Sequence, residues 1–208
     1  MISTMPPAVI FIIGALFIPL FKGKLKSIYL LLLPIIGFIN LINIPEGTHW
    51  VVNFLEYKLV FGKVDRLSLF FGYIYHLITF IALLYALHVK KSSDHMASLF
   101  YGGSALGIVF AGDLISLFVF WETMAVSASY LVWSRRTKES YGAGMRYLLV
   151  HIFGGLCLLV GIVINVANTG SIEFGYIGLT GLGSFLIFIG FGINCAWPGL
   201  HALSLIHI

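Results

Sequence analysis

The sequence predicts an all-α, polytopic integral membrane protein of about seven transmembrane helices, and three observations carry that expectation. Of 208 residues, 60% are hydrophobic and only 10% charged, against roughly 25% charged in an ordinary soluble domain. With a mean hydropathy of +1.02, eight acids and twelve bases cannot supply a polar shell while 18 Phe, 10 Tyr and 4 Trp seek burial. Unbroken apolar runs such as Leu67 to Val89 fit helices, whereas a barrel would alternate over segments of about ten residues. A soluble globule and a disordered chain are both excluded. The net charge of +4 reports loop topology rather than a nucleic-acid partner.

The elements follow in order. A first apolar segment at 5–21 has no Lys or Arg before it, so it lacks the basic start of a signal peptide and reads as a retained helix. Lys22, Lys24 and Lys26 separate it from a second helix at 27–44. Residues 45–66 form the long extramembrane loop. The aromatic and β-branched content between Pro45-Glu46-Gly47 and Phe61-Gly62 predicts a short external hairpin against the membrane face. A third helix spans 67–89. Met96 to Trp133 is too long for one span and is punctuated at Ala111-Gly112-Asp113. Asp113 is a good N-cap and Gly112 supplies the turn, giving helices at 96–112 and 113–133. Two more follow at 143–166 and 179–196. No separate soluble domain or fixed-period repeat interrupts residues 1–208.

If these helices alternate in direction, nine bases fall on one side: Lys22, Lys24, Lys26, Lys90, Lys91, Arg135, Arg136, Lys138 and Arg146. Lys58, Lys63 and Arg66 fall on the other. The positive-inside rule then places the N-terminus outside and the basic loops in the cytoplasm of a multi-pass cell-membrane protein.

Polar residues inside the spans are the candidate site. Glu122 lies nine residues past Asp113, about 13 Å into a hydrocarbon layer about 30 Å thick. An ionised carboxylate at that depth must be protonated, paired or wetted, and each state suits a proton carrier; the alternative is a structural helix–helix pair. Trp121, Thr123, Ser127 and Ser129 could hold water beside it. His151 suits proton relay, or is a core histidine bonded to a neighbour. Arg146 snorkels to the headgroups or reaches Glu122. His76 and His88 are weaker candidates, His88 as an interfacial residue. Pro198 and Gly199 predict a helix break, and non-helical backbone at that depth must be buried in protein or line a wet cavity. Asn194 and His201 flank the break as candidates for an ion path, unless this is an ordinary kinked packing helix. Cys157 and Cys195 lie in apolar helices without a CxxC partner and read as small buried hydrophobes. No metal site is expected.

Four segments together resemble a known family. They are Val64-Asp-Arg-Leu-Ser-Leu-Phe, the run from Ala111-Gly-Asp-Leu through Trp121-Glu-Thr to Tyr130, Arg146-Tyr-Leu-Leu-Val-His-Ile-Phe-Gly-Gly, and Ile189-Gly-Phe-Gly-Ile-Asn-Cys-Ala-Trp-Pro-Gly-Leu-His-Ala. The chain resembles the proton-translocating antiporter-like subunits of Mrp-type Na+/H+ antiporters, respiratory complex I and membrane-bound hydrogenases, most closely the D-type Mrp subunit. The resemblance implies that Glu122 is the glutamate of the fifth helix, which in the family pairs with a lysine on the broken seventh helix. That lysine comes seven residues before the histidine matched by His201, and the position is Asn194 here. Arg146, His151 or a lysine outside these residues would have to substitute. The resemblance also implies a fold of about fourteen helices with inverted repeats, of which this chain is the N-terminal part; after Ala202 the sequence departs from the family pattern.

The expected function is that of a membrane subunit of a multisubunit cation/proton antiporter, moving protons, with Na+ as the candidate exchanged ion. Glu122, His151, Asn194, His201 and Arg146 form the path, and Pro198 and Gly199 the break. Its partners are other membrane subunits and the bilayer. The alternatives are a proton-pumping subunit of a complex I-like oxidoreductase or hydrogenase, non-catalytic in itself, and a non-transporting truncated scaffold. No Gly-rich strand-to-helix fingerprint or cysteine set is present for NADH, flavin or an iron–sulfur cluster, so no cofactor is expected.

Overall fold

A computed structural model describes residues 4–195 and Trp197. Its elements are α1 (Pro7–Phe17), α2 (Gly23–Ile42), β1 (Gly47–Phe54), β2 (Tyr57–Val64), α3 (Arg66–Tyr85), α4 (Ser92–Phe110), α5 (Leu114–Trp133), α6 (Lys138–Thr169) and α7 (Leu182–Asn194). Short 3-10 segments extend α1 through Leu20 and α3 through His88.

Helix starts follow from local chemistry. Pro7 opens α1, where its missing N–H is no loss. Asp65 caps α3 and Thr137 caps α6, each accepting from the amide three residues on, while Ser68 and Ser140 accept in return from the cap residue's own amide. Pro34 sits inside α2 and removes one rung of its ladder. Gly170 ends α6 in the left-handed conformation, φ 69°.

The helices pack as a chain of neighbours: α1 and α3 against α4, α2 against α3, α4 against α5, α5 against α6, and α6 against α7. One apolar core, including Phe11, Leu30, Leu99, Leu106 and Phe110, joins α1–α4. A second, including Leu114, Trp121, Leu158, Ile162 and Ile187, joins α5–α7. Among the described residues, four helices are long and apolar enough to cross a membrane: α2, α3 with its extension, α5 and α6. The extended α1 and α7 are shorter apolar helices. α4 opens on Ser92-Ser-Asp-His and buries Gly102, Gly103, Ser104, Ala105 and Gly107 against other helices. Small residues there suit protein contact rather than lipid contact.

Several boundaries differ from those expected. α6 begins at Lys138 rather than 143, because the Thr137–Ser140 capping box starts it outside the apolar run. At 32 residues it is about 48 Å long, well beyond the hydrocarbon thickness. α7 ends at Asn194, short of the expected break at Pro198 and Gly199, which lie outside the described residues.

The expected hairpin is present. β1 and β2 pair antiparallel from Gly47↔Val64 to Phe54↔Tyr57 around a turn at Leu55-Glu56, with Leu55 at φ 54°. The hairpin is docked on the ends of helices. Trp50 Nε1 donates to Thr4 O at 3.2 Å, Gly112 N to Val60 O at 2.9 Å and Leu114 N to Ile172 O at 2.9 Å. Thus the start of α1, the hairpin, the α4–α5 turn and the α6–α7 loop meet at one end. At the other, Lys26 Nζ donates to Lys90 O at 2.8 Å, joining the first turn of α2 to the α3–α4 loop.

Candidate functional site

The site is built where α5 crosses α6, and its depth is set by a fastening at the hairpin end. Asp113 is fully buried. Its Oδ1 accepts from Ser116 N at 2.7 Å, and its Oδ2 from Ser116 Oγ at 2.6 Å and from Val60 N at 2.7 Å. One carboxylate therefore caps α5 and ties it to β2. Gly112 allows this approach, since a methyl group there would strike the Val60 side chain. Sequence reasoning found the cap but not the tie, because nothing local marks Val60 as its partner.

At the hairpin end, Asp65 accepts from Ser68 N at 2.7 Å, and this bond holds its carboxyl below the usual aspartate range. Nearby, Arg66 Nε and Glu46 Oε1 lie 3.6 Å apart at exposed positions.

From Asp113, α5 carries Glu122 to the middle of its length. Its carboxyl lies directly against Gly155 of α6: a methyl group on Gly155 would collide with Oε1 and stand 2.8 Å from Cδ and 3.2 Å from Oε2. Oε1 is buried without a hydrogen-bond partner. On the other side Glu122 faces an open cleft of about 450 Å³, lined also by Phe100, Thr123, Val126 and Ser127. The Thr123 and Ser127 hydroxyls donate to Val119 O and Thr123 O of their own helix at 2.8 Å each, leaving their oxygens free to accept. Trp121 turns instead towards α7, edge to face with Phe191 at 5.1 Å, and its Nε1 is also buried without a partner.

His151 lies one helical turn before Gly155 on the same face of α6. It is buried, 9% exposed, with Nδ1 unpartnered. Its ring lies over that of Tyr147 at 3.9 Å between centroids. Tyr147, His151 and Gly155 thus form a row at four-residue spacing that leads from the basic end to Glu122. The sequence reading missed Tyr147 and Gly155; their spacing from His151 was the available signal.

The other expected site residues are placed differently. Arg146 is exposed, with its guanidinium folded back near Gly142, so it is not brought to Glu122. Asn194 is half-buried at the end of α7, and its Nδ2 donates to Gly190 O of its own helix at 3.5 Å. His201, Pro198 and Gly199 lie outside the described residues. Among the described residues no cation pairs with Glu122. His76, on α3, is buried with Nδ1 2.7 Å from Gly72 O and packs on Phe11, away from this site. His88 is exposed near the basic end, its Nδ1 2.9 Å from Tyr85 O. Cys157 and Cys195 are free thiols.

Comparison with known proteins adds an independent line. Residues 111–202, which include the α5–α6 crossing, match the family described as NADH:quinone oxidoreductase/Mrp antiporter, TM. The chain is 30% identical to the Na(+)/H(+) antiporter subunit A1 of Staphylococcus aureus, in an alignment covering 79% of this chain and 23% of that protein. It spans about a quarter of the length of the curated relatives it matches. This likeness is to a subunit A1; it does not reach as far as the D-type assignment expected from the motifs. Among solved structures, the fold superposes on the Mrp complex from Dietzia sp. DQ12-45-1b with a TM-score of 0.77, 19% identity and coverage of 95% of this chain and 25% of that one. It superposes on respiratory complex I from Thermus thermophilus with a TM-score of 0.76, 16% identity and coverage of 95% and 46%. The chain therefore shares the fold of a membrane chain in each of these two complexes.

Proposed function

We propose that this chain forms part of a membrane subunit of a multisubunit cation/proton antiporter, with Glu122 as its proton carrier. The observation that carries the reading is a carboxyl midway along α5 whose Oε1 is buried against α6 with no hydrogen-bond partner, while the opposite side opens to a cleft. A carboxyl so placed gains and loses a proton at little structural cost, because no fixed partner must be broken. Intramembrane acids are expensive to keep and mark ion paths. The matches to antiporter and complex I membrane proteins support the same reading.

His151, stacked on Tyr147, extends the path towards the basic end. Asn194, at the end of α7, continues it; His201 and a helix break at Pro198 and Gly199, which lie outside the described residues, belong to the same proposal on the sequence alone. Arg146 contributes positive charge at the basic end. That end faces the cytoplasm of the cell membrane, with the hairpin outside, by the positive-inside rule. Other membrane subunits are the partners, and the S. aureus relative's name supports Na+ as the exchanged ion. A D-type assignment within the antiporter rests on the Trp121-Glu122 and α7 motifs. The fourteen-helix inverted-repeat fold, with this chain as its N-terminal part, belongs to the same proposal.

The test is Glu122→Gln in the full-length parent subunit, with ion-driven proton flux measured in inverted vesicles. Flux should vanish while assembly is unchanged; retained flux would sink the assignment. A second reading, a proton-pumping subunit of a complex I-like oxidoreductase, is favoured by the likeness to respiratory complex I. It predicts flux driven by NADH oxidation rather than by an imposed Na+ gradient.

A further inference from the structure

The contact between α5 and α6 at Glu122 is asymmetric. α6 carries two adjacent glycines with different neighbours. Gly154 faces α7, where an added methyl group would stand 2.9 Å from Ile193 Cγ2 and 3.1 Å from its Cβ, with no contact to Glu122 among its three nearest neighbours. Gly155 faces the Glu122 carboxyl itself, and an added methyl group would overlap Oε1 and crowd Cδ. The carboxyl therefore occupies the volume that any other residue at 155 would fill.

We propose that Gly155 is a positioning residue for Glu122. By presenting bare backbone, it lets the carboxyl lie against α6, out of reach of the Thr123 and Ser127 hydroxyls on the cleft side, and so keeps it free of a fixed partner. A side chain at 155 drives the carboxyl into the cleft, where a protonated acid donates to one of those hydroxyl oxygens and becomes anchored. The proposal rests on the reading of Glu122 as proton carrier, but its first readout does not. That readout is where the carboxyl sits.

The experiment compares Gly155→Ala, Gly154→Ala and Glu122→Gln in the full-length parent subunit within its complex. Infrared difference spectroscopy between acidic and neutral pH isolates the protonated carboxyl stretch of Glu122 as the band lost in Glu122→Gln. In the wild type this band lies at the high frequency of an acid without hydrogen bonds. Gly155→Ala shifts it to lower frequency and lowers proton flux by about tenfold or more, in line with the cost of ångström-scale misplacement. Gly154→Ala, with the same gain in helix propensity, leaves the band where it was. Glu122→Asp, which withdraws the carboxyl by one methylene, restores part of the flux in the Gly155→Ala background. Should Gly155→Ala not assemble, Gly155→Ser is the second variant, with the same expected shift.

An unmoved band in assembled Gly155→Ala or Gly155→Ser overturns the positioning role, and leaves the proton-carrier reading intact if Glu122→Gln is inactive. A shifted band with full flux in Glu122→Gln upholds the positioning role and removes the proton-carrier reading. Equal band shifts in Gly154→Ala and Gly155→Ala show a general loosening of α6, which also overturns the proposal.

Discussion

Replacing Asp113 by Ala removes three accepted hydrogen bonds at once: Ser116 N at 2.7 Å, Ser116 Oγ at 2.6 Å and Val60 N at 2.7 Å. Loss of the cap alone costs about 1 kcal/mol. The Val60 amide, which belongs to the other element, loses a charged acceptor, and a buried donor left unsatisfied costs about 1–3 kcal/mol. Together these give about 2–4 kcal/mol, partly local to the α5–hairpin junction. Asp113→Asn keeps one carbonyl oxygen and should recover part of the loss. Hydrogen exchange read peptide by peptide on detergent-solubilised protein is the assay. At roughly 1.4 kcal/mol per tenfold, amides of β2 and of the first turn of α5 should exchange about 30- to 1,000-fold faster in Asp113→Ala. The far end of α5, near Trp133, should change little. Unaltered exchange across β2 would refute the idea that this carboxylate fastens the hairpin to the helix carrying Glu122.

Gly161→Ala should destabilise the α6–α7 pair by about 1–3 kcal/mol as an overpacking change, because the added methyl group would stand 2.7 Å from both Gly183 O and Ile187 N, neither of which can rotate away. Gly175→Ala meets open space and should shift the thermal midpoint little, so equal effects would contradict the packing argument. Asp65→Ala should expose the first turn of α3 at neutral pH. The Asp65 carboxyl titrates below its usual range, so its stabilisation is fully present above the unfolded aspartate value of about 3.9. It is lost as pH falls through the lower folded value. The difference in Ser68 amide exchange between wild type and Asp65→Ala should therefore close on strong acidification, and a constant difference would exclude the capping carboxylate as its source. His151→Phe keeps an aromatic ring on Tyr147 but removes the imidazole, and should lower proton flux by about 100-fold or more if the ring relays protons. Full flux would remove His151 from the path.

Much of the fold was legible because its determinants are local. Apolar runs located the helices, Asp113 and Gly112 divided the long stretch from Met96 to Trp133, and β-branched content marked the hairpin. The same logic missed the early start of α6, where the capping box Thr137–Ser140 lies in a polar segment that hydropathy passes over. It also ran the seventh helix over 179–196, whereas α7 spans Leu182–Asn194. Glu122 was legible as a carboxyl deep in an apolar helix, and His151 as an imidazole on the following one. What surrounds them was not, because helix-to-helix contacts depend on rotation about each axis. Which of Gly154 and Gly155 meets Glu122, and that Arg146 turns outward on the helix that buries Tyr147 and His151, are settled only by packing.

As proposed, the Glu122 carboxyl takes up and releases the transported proton. Time-resolved infrared spectroscopy on the assembled complex, with an imposed Na+ gradient starting turnover, reads this directly. The carboxyl band absent from Glu122→Gln should change at the rate of proton flux in the wild type. A band that stays constant while protons continue to cross would contradict the account.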